Sequence, residues 1–198
     1  MRFTIHGVFY MTSFTILYVH GFGSKVDPTS DKRVALANIA SVDAVAPDYS
    51  TPYQDVLASV QPYLAQADLL LGTSMGGFLV SRLSELTGKP FVAVNPVLDP
   101  EVTLSKYIGT HQDHVGRTFT LTEPTVSTYP AFLPAAKKGM VLLDMGDELL
   151  DSHKTKAALE PLMSVHVFAG GSHRFSHMEE ALPLIQAFIR RSSPCAGQ

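Results

Sequence analysis

Gly72-Thr73-Ser74-Met75-Gly76 is the stretch of this chain whose residue types and spacing most directly suggest covalent chemistry. A serine framed in this way fits a sharp strand-to-helix turn with the hydroxyl at its apex, because the flanking glycines let two backbone segments approach closely. Leu69-Leu70-Leu71 can supply the strand and Phe78 to Leu83 the helix. The alternative is a glycine-rich turn in which Ser74 only caps the helix. A serine hydroxyl is a weak nucleophile at its ordinary pKa, so a base is required. His173, in Gly170-Gly171-Ser172-His173-Arg174-Phe175, has the flexible surroundings to reach it. His177 is a rival, but Ser176-His177-Met178-Glu179 also reads as a capping box with His177 as the first helical residue. His166 falls within a strand and suits packing or solvent.

The base needs an acid to fix its tautomer and stabilise the imidazolium. Val141-Leu142-Leu143-Asp144-Met145-Gly146-Asp147-Glu148 offers Asp144, Asp147 and Glu148, and Asp151 follows. Asp147 is favoured because Gly146 can turn the chain out of a strand just before it, whereas Asp144 is still inside that strand. Asp151 or Ser152 is expected to cap the next helix. An oxyanion needs two donors: the N–H of Met75, at the start of the helix, and the N–H of Phe22, in His20-Gly21-Phe22-Gly23. His20 is read as a structural hydrogen-bonding residue and not as the base.

The elements that must position these groups follow from apolar periodicity. Strands are expected at Thr15 to Val19, Val42 to Ala46, Leu69 to Gly72, Phe91 to Val94, Met140 to Asp144 and Val165 to Phe168. Helices are expected at Lys32 to Ala40, Tyr53 to Ala67, Gly76 to Leu86, His153 to Leu159 and Met178 to Arg191. Alternating strands and helices, with strands apolar on both faces, predict an α/β fold: a mostly parallel sheet of about six strands with helices on both faces. Ligands in such sheets bind at the carboxyl ends of strands, and Phe22, Ser74, Asp147 and His173 all fall in the loops that follow a strand. Asp99 to Lys138 interrupts the alternation; its aromatics, among them Tyr107, Phe119, Tyr129 and Phe132, favour an ordered lid or cap over disorder. These aromatics suit an acyl pocket slightly better than plain core.

At 198 residues the chain is expected to be one domain, 1–198, with 99–138 as the lid insertion and 1–13 as a disordered extension of a core that starts near Phe14. With 15 Lys and Arg against 18 Asp and Glu, it lacks the basic footprint of a nucleic-acid partner. The single cysteine, Cys195, precludes an intrachain disulfide and a cysteine metal cluster. His111 and His114 lack a third metal ligand at readable spacing. No signal peptide or membrane span is expected, and a cytoplasmic location is the default inference.

Taken together, Tyr18-Val19-His20-Gly21-Phe22, Gly72 to Gly77, Val94-Asn95-Pro96, Gly146 to Asp151 and Gly170 to Phe175 resemble the YqiA/YcfP-type esterases, small bacterial α/β-hydrolases, from about Phe14 to Ile189. The resemblance implies an α/β-hydrolase fold, Ser74 as nucleophile, Asp147 as acid and His173 as base, and no cofactor. It also implies hydrolysis of carboxylic esters, with acyl thioesters accepted by some relatives. The pattern departs after His-Gly-Phe, where Asn-Ser-Ser is frequent and Gly23-Ser24-Lys25 stands here. The expectation is a serine esterase for small or acyl-chain substrates; the alternatives are a thioesterase or amidase with the same triad, or a non-catalytic binding protein on the same fold.

Overall fold

The computed structural model describes residues 14–113, 116–135 and 138–192. The expected extension at 1–13, His114 and Cys195 lie outside them.

Six strands form one parallel sheet: β1 (Thr15–Val19), β2 (Ser41–Val45), β3 (Leu69–Thr73), β4 (Phe91–Val94), β7 (Gly139–Asp144) and β8 (Ser164–Phe168), in the order β2-β1-β3-β4-β7-β8. These are the strands expected from sequence, with ends shifted by one residue at most. β3, β4 and β7 are buried at every position, which is why they read as unbroken apolar runs. Helices α1 (Asp31–Ala37), α2 (Tyr53–Leu64), α3 (Met75–Thr87), α6 (Ser152–Leu159) and α7 (Met178–Ser192) connect or follow them. Both α1 and α2 stop about one turn short of the expected ends: Asn38 closes α1 with its N–H on the carbonyls of Ala35 and Leu36, and α2 gives way after Leu64 to a turn bonding Ala67 to that residue.

Alternate residues along the strands feed two cores, as period-two side chains must. Leu17, Val19, Leu70, Ala93, Val141 and Leu143 pack with α2 and α3, while Ile16, Tyr18, Leu71, Val94 and Leu142 pack with α1 and α7. On the second face, Ala181, Ile185 and Phe188 of α7 repeat at helical spacing, so a single stripe covers the sheet.

The 99–138 insertion is built from α4 (Pro100–Ser105), the antiparallel hairpin β5 (Gly109–Gln112) and β6 (Thr118–Leu121), and α5 (Glu123–Val126). Asp99 caps α4 and Thr122 caps α5 through side chains that accept from Val102 N and Thr125 N. Leu104, Leu121, Val126, Tyr129 and Phe132 are buried in the first core, so much of this segment packs into the body of the protein. The hairpin is pinned at its far end by Arg117, whose guanidinium bonds Asp113 at 3.0 Å and Asp48, beyond β2, at 2.8 Å.

The strand order reverses direction at β1, which has β2 on one side and β3 on the other. A crevice therefore opens at the carboxyl ends of β1 and β3, where the chain places Gly21-Phe22 and Ser74.

Candidate active site

Ser74 links β3 to α3 with φ 58° and ψ −121°, a conformation that costs a non-glycine residue on the order of 1–3 kcal/mol. Its side chain makes no capping bond to α3, so the helix-cap reading fails: the hydroxyl is turned away from the backbone it precedes. The turn can be this tight because of Gly76, where a Cβ would stand 2.1 Å from the carbonyl oxygen of Val19. That contact seats the start of α3 directly on the end of β1.

The loop after β8 brings His173 to the serine, with Nε2 3.0 Å from Ser74 Oγ. Nδ1 lies 3.0 and 2.9 Å from the two carboxylate oxygens of Asp147, in the loop after β7. Of the candidate carboxylates Asp144, Asp147, Glu148 and Asp151, Asp147 is the one in contact with His173 Nδ1. Its side chain is 1% exposed. Burial works to raise its pKa, but bonds from His173 and from the N–H groups of Leu150 and Leu149 outweigh burial and hold the carboxyl below its usual range. An ionised Asp147 orients Nδ1–H toward itself and leaves Nε2 to accept the serine proton.

The rivals are occupied elsewhere. His166 on β8 contacts Ser164 Oγ at 3.1 Å. Asp151 caps α6 by accepting from Lys154 N, as expected. Glu148 Oε2 accepts the backbone N–H of His173 at 2.9 Å, and this bond is the leading cause of its lowered pKa. For His177 the structure corrects the sequence reading: α7 starts at Met178, and His177 contributes its carbonyl to Ala181 N as the residue just before the helix. The capping box is not formed, because Asp144 draws the loop inward. This wholly buried carboxylate accepts from Ser172 N at 3.1 Å and Ser176 N at 2.7 Å and meets His177 Nδ1 at 2.6 Å.

Beside it, Asn95 at the end of β4 accepts from Asp144 N through Oδ1 and donates through Nδ2 to the carbonyls of Ser172 and His173. Asn95 sits at φ 42°, a left-handed conformation that asparagine tolerates better than most residues. Gly171 completes the packing with φ 75° and no side chain, since a Cβ there would stand 1.9 Å from Asp144 Oδ2. Asp144 and Asn95 therefore hold the loop that carries His173. Sequence reasoning missed this role; the available signal was a polar residue ending each of two otherwise apolar central strands.

Phe22 and Met75, whose N–H groups were the expected oxyanion donors, both line a cavity of about 720 Å³ together with Ser74 and His173. Its remaining wall comes mainly from α4, the hairpin and the loop before α6 and is mixed, with Leu104, Tyr107, Phe119 and Leu150 beside Lys106, His111, Asp113, Glu148 and Arg174. Phe22 meets Tyr107 and Phe119 with ring centroids 5.5 and 5.4 Å apart. A second cavity of about 490 Å³ opens on the other side of Phe22, Ser74 and His173 and is lined by polar and charged residues. Among the described residues no group of His, Cys, Asp and Glu could hold a metal ion, and no helix is long and apolar enough to cross a membrane.

Comparison with known proteins agrees with this architecture. A UPF0227 protein of Shewanella sp. strain MR-4 is 28% identical over 182 residues, covering 87% of this chain and 98% of the relative, and a UPF0227 protein of Yersinia enterocolitica is 28% identical over 182 residues, covering 87% and 97%. Among solved structures, Est1E from Butyrivibrio proteoclasticus superposes with a TM-score of 0.66 at 16% identity, over 91% of this chain and 88% of that one. A monoacylglycerol lipase from Paleococcus ferrophilus gives 0.61 at 16% identity, over 90% and 95%. These likenesses establish the α/β-hydrolase fold and bear out the resemblance to YqiA-type proteins. The family model described as "Uncharacterised protein family (UPF0227)" matches residues 15–190, and the chain belongs to that family.

Proposed function

We propose that this protein is a serine hydrolase of carboxylic esters that works through an acyl-enzyme on Ser74. The observation that carries the reading is the unbroken chain of contacts from Asp147 through His173 to a serine held at a strained strand-to-helix apex. His173 Nε2 takes the Ser74 proton as Oγ attacks the ester carbonyl. The N–H groups of Phe22 and Met75 receive the oxyanion, each such donor being worth about 3 kcal/mol of transition-state stabilisation. His173 then protonates the departing alcohol, and a water activated by the same imidazole releases the acid. Asp147 stays ionised throughout and stabilises the imidazolium.

Phe22, Leu104, Tyr107 and Phe119 in the larger cavity suit an apolar acyl or alcohol group, with the 99–138 insertion acting as a wall over the nucleophile. The name of one structural neighbour, a monoacylglycerol lipase, is consistent with this chemistry. No cofactor enters any step, and a small-molecule ester is the partner the site calls for.

Labelling with a fluorophosphonate probe, read by intact and peptide mass spectrometry, tests the mechanism. The expected outcome is one adduct on Ser74 that is lost in Ser74→Ala. A folded wild type that takes no label would overturn the acyl-enzyme reading in favour of a non-catalytic binding protein. With labelling in hand, a matched screen of esters, thioesters and amides assigns the bond.

A further inference from the structure

Ser74 and His173 lie at the junction of two cavities, and the smaller one, which shares Arg174 with the larger, is lined mainly by polar and charged side chains. Its walls include Lys25, Lys32 and Arg174, with Ser24, Ser30 and Thr73 adding hydroxyls. Asp27 is the one acidic residue lining it, and that carboxylate is already engaged by the N–H and the hydroxyl of Thr29. The cations therefore outnumber the acid beside the nucleophile.

Three further observations bear on what this cavity holds. Lys32 is half-buried, and its ammonium donates to the carbonyl oxygen of Arg174, which fixes the cation next to the residue that follows His173. Burial and, after it, the charge of Arg174 hold the Lys32 pKa below the usual lysine range, with Asp31 and Asp144 opposing them. His20, only 6% exposed, forms part of the same wall, and its Nε2 has no hydrogen-bond partner. A buried ring nitrogen left open in this way is costly unless a ligand or water completes it.

We infer that the substrate is an ester with an anionic group, a carboxylate or a phosphate, on one side of the scissile bond, and that Lys25, Lys32 and Arg174 receive this group in the smaller cavity while the apolar arm fills the larger one. The inference rests on the ester-hydrolase reading and adds the substrate class to it. Charge selects here by position: an anion anchored beside His173 carries the carbonyl to Ser74, and a neutral isostere leaves the cations unpaired.

The test uses two matched substrate pairs. The first is 4-nitrophenyl hydrogen glutarate against its methyl-capped diester, which places a carboxylate on the acyl side. The second is the butyryl ester of 3-hydroxypropyl phosphate against the butyryl ester of 1,3-propanediol, which places a phosphate on the alcohol side. The charged member of at least one pair should exceed its neutral partner in kcat/KM by about ten-fold at low salt, as charge-assisted hydrogen bonds provide. That ratio should collapse toward one in Lys32→Gln and Arg174→Gln, fall in the exposed Lys25→Gln, and shrink with added sodium chloride. The pair that shows the preference distinguishes an acyl-side carboxylate from an alcohol-side phosphate. Hydrolysis of both neutral esters with no preference for either charged one would overturn this inference and leave the hydrolase reading standing. Failure to cleave all four esters, with Ser74 unlabelled by fluorophosphonate, would overturn both.

Discussion

Asp147 shows what a single atom pair can decide. It spans two ring-nitrogen contacts and two backbone N–H bonds, so replacing its carboxylate by an amide of equal size leaves the loop nearly unchanged. An amide can present its NH₂ to Nδ1, which favours the tautomer that places the proton on Nε2 and removes the base from Ser74. Asp147→Asn is therefore expected to lower kcat by about 10⁴-fold with KM little changed, measured on whichever ester the screen identifies; a loss of less than ten-fold would show that Asp147 is not the orienting acid. Ser74, Asp147 and His173 were legible because each falls directly after a recognisable strand, and glycine marks each loop. The pairing of Asp144 with His177 was not, since it depends on how the loop after β8 folds back across the end of β7, a contact spanning 33 residues.

At the scale of elements, the sheet ends act as mounting points for the loop carrying His173. Asn95 joins the end of β4 to β7 through Asp144 N, and to the loop through two carbonyls, all from a side chain that is 1% exposed. Asn95→Ala strands those groups and should cost about 1–3 kcal/mol in urea unfolding. Release of the loop should also lower kcat by roughly 10- to 100-fold, since small displacements of a catalytic base have that effect. A stability loss with kcat unchanged would make Asn95 a purely structural residue. The six sheet strands could be read from their apolar runs, whereas β5 and β6 could not. Gly-Thr-His-Gln and Thr-Phe-Thr-Leu are short, mostly exposed and paired only with each other, so neither has the burial that writes periodicity into a sequence.

For the whole molecule, acid sensitivity should follow the histidine buried at the end of β1. Burial, and after it the charges of Arg33 and Lys32, bring the His20 pKa down to about 4, with Asp27 opposing them. An unfolded chain binds a proton at this residue near pH 6.5, and the folded chain does so only near pH 4. Over that window the unfolded state carries the extra proton, so falling pH weakens the fold. Urea unfolding midpoints recorded from pH 7 to pH 4.5 should decline less steeply in His20→Gln than in the wild type. Parallel declines would show that His20 titrates normally in the folded protein.

The order of strands has a consequence for the life of the chain as it is made. Ser74 follows β3, but His173 and Asp147, its proposed base and acid, arrive only after β8 and β7, beyond the long insertion. A nascent polypeptide that has completed β1 to β4 already presents the hydroxyl, yet it is still an ordinary alcohol, because nothing can take its proton. On the proposed mechanism, reactivity appears only when β7 has docked onto β4 and β8 onto β7. Completion of the fold is then the activating event of the proposed mechanism, and a chain stalled before β7 is chemically silent.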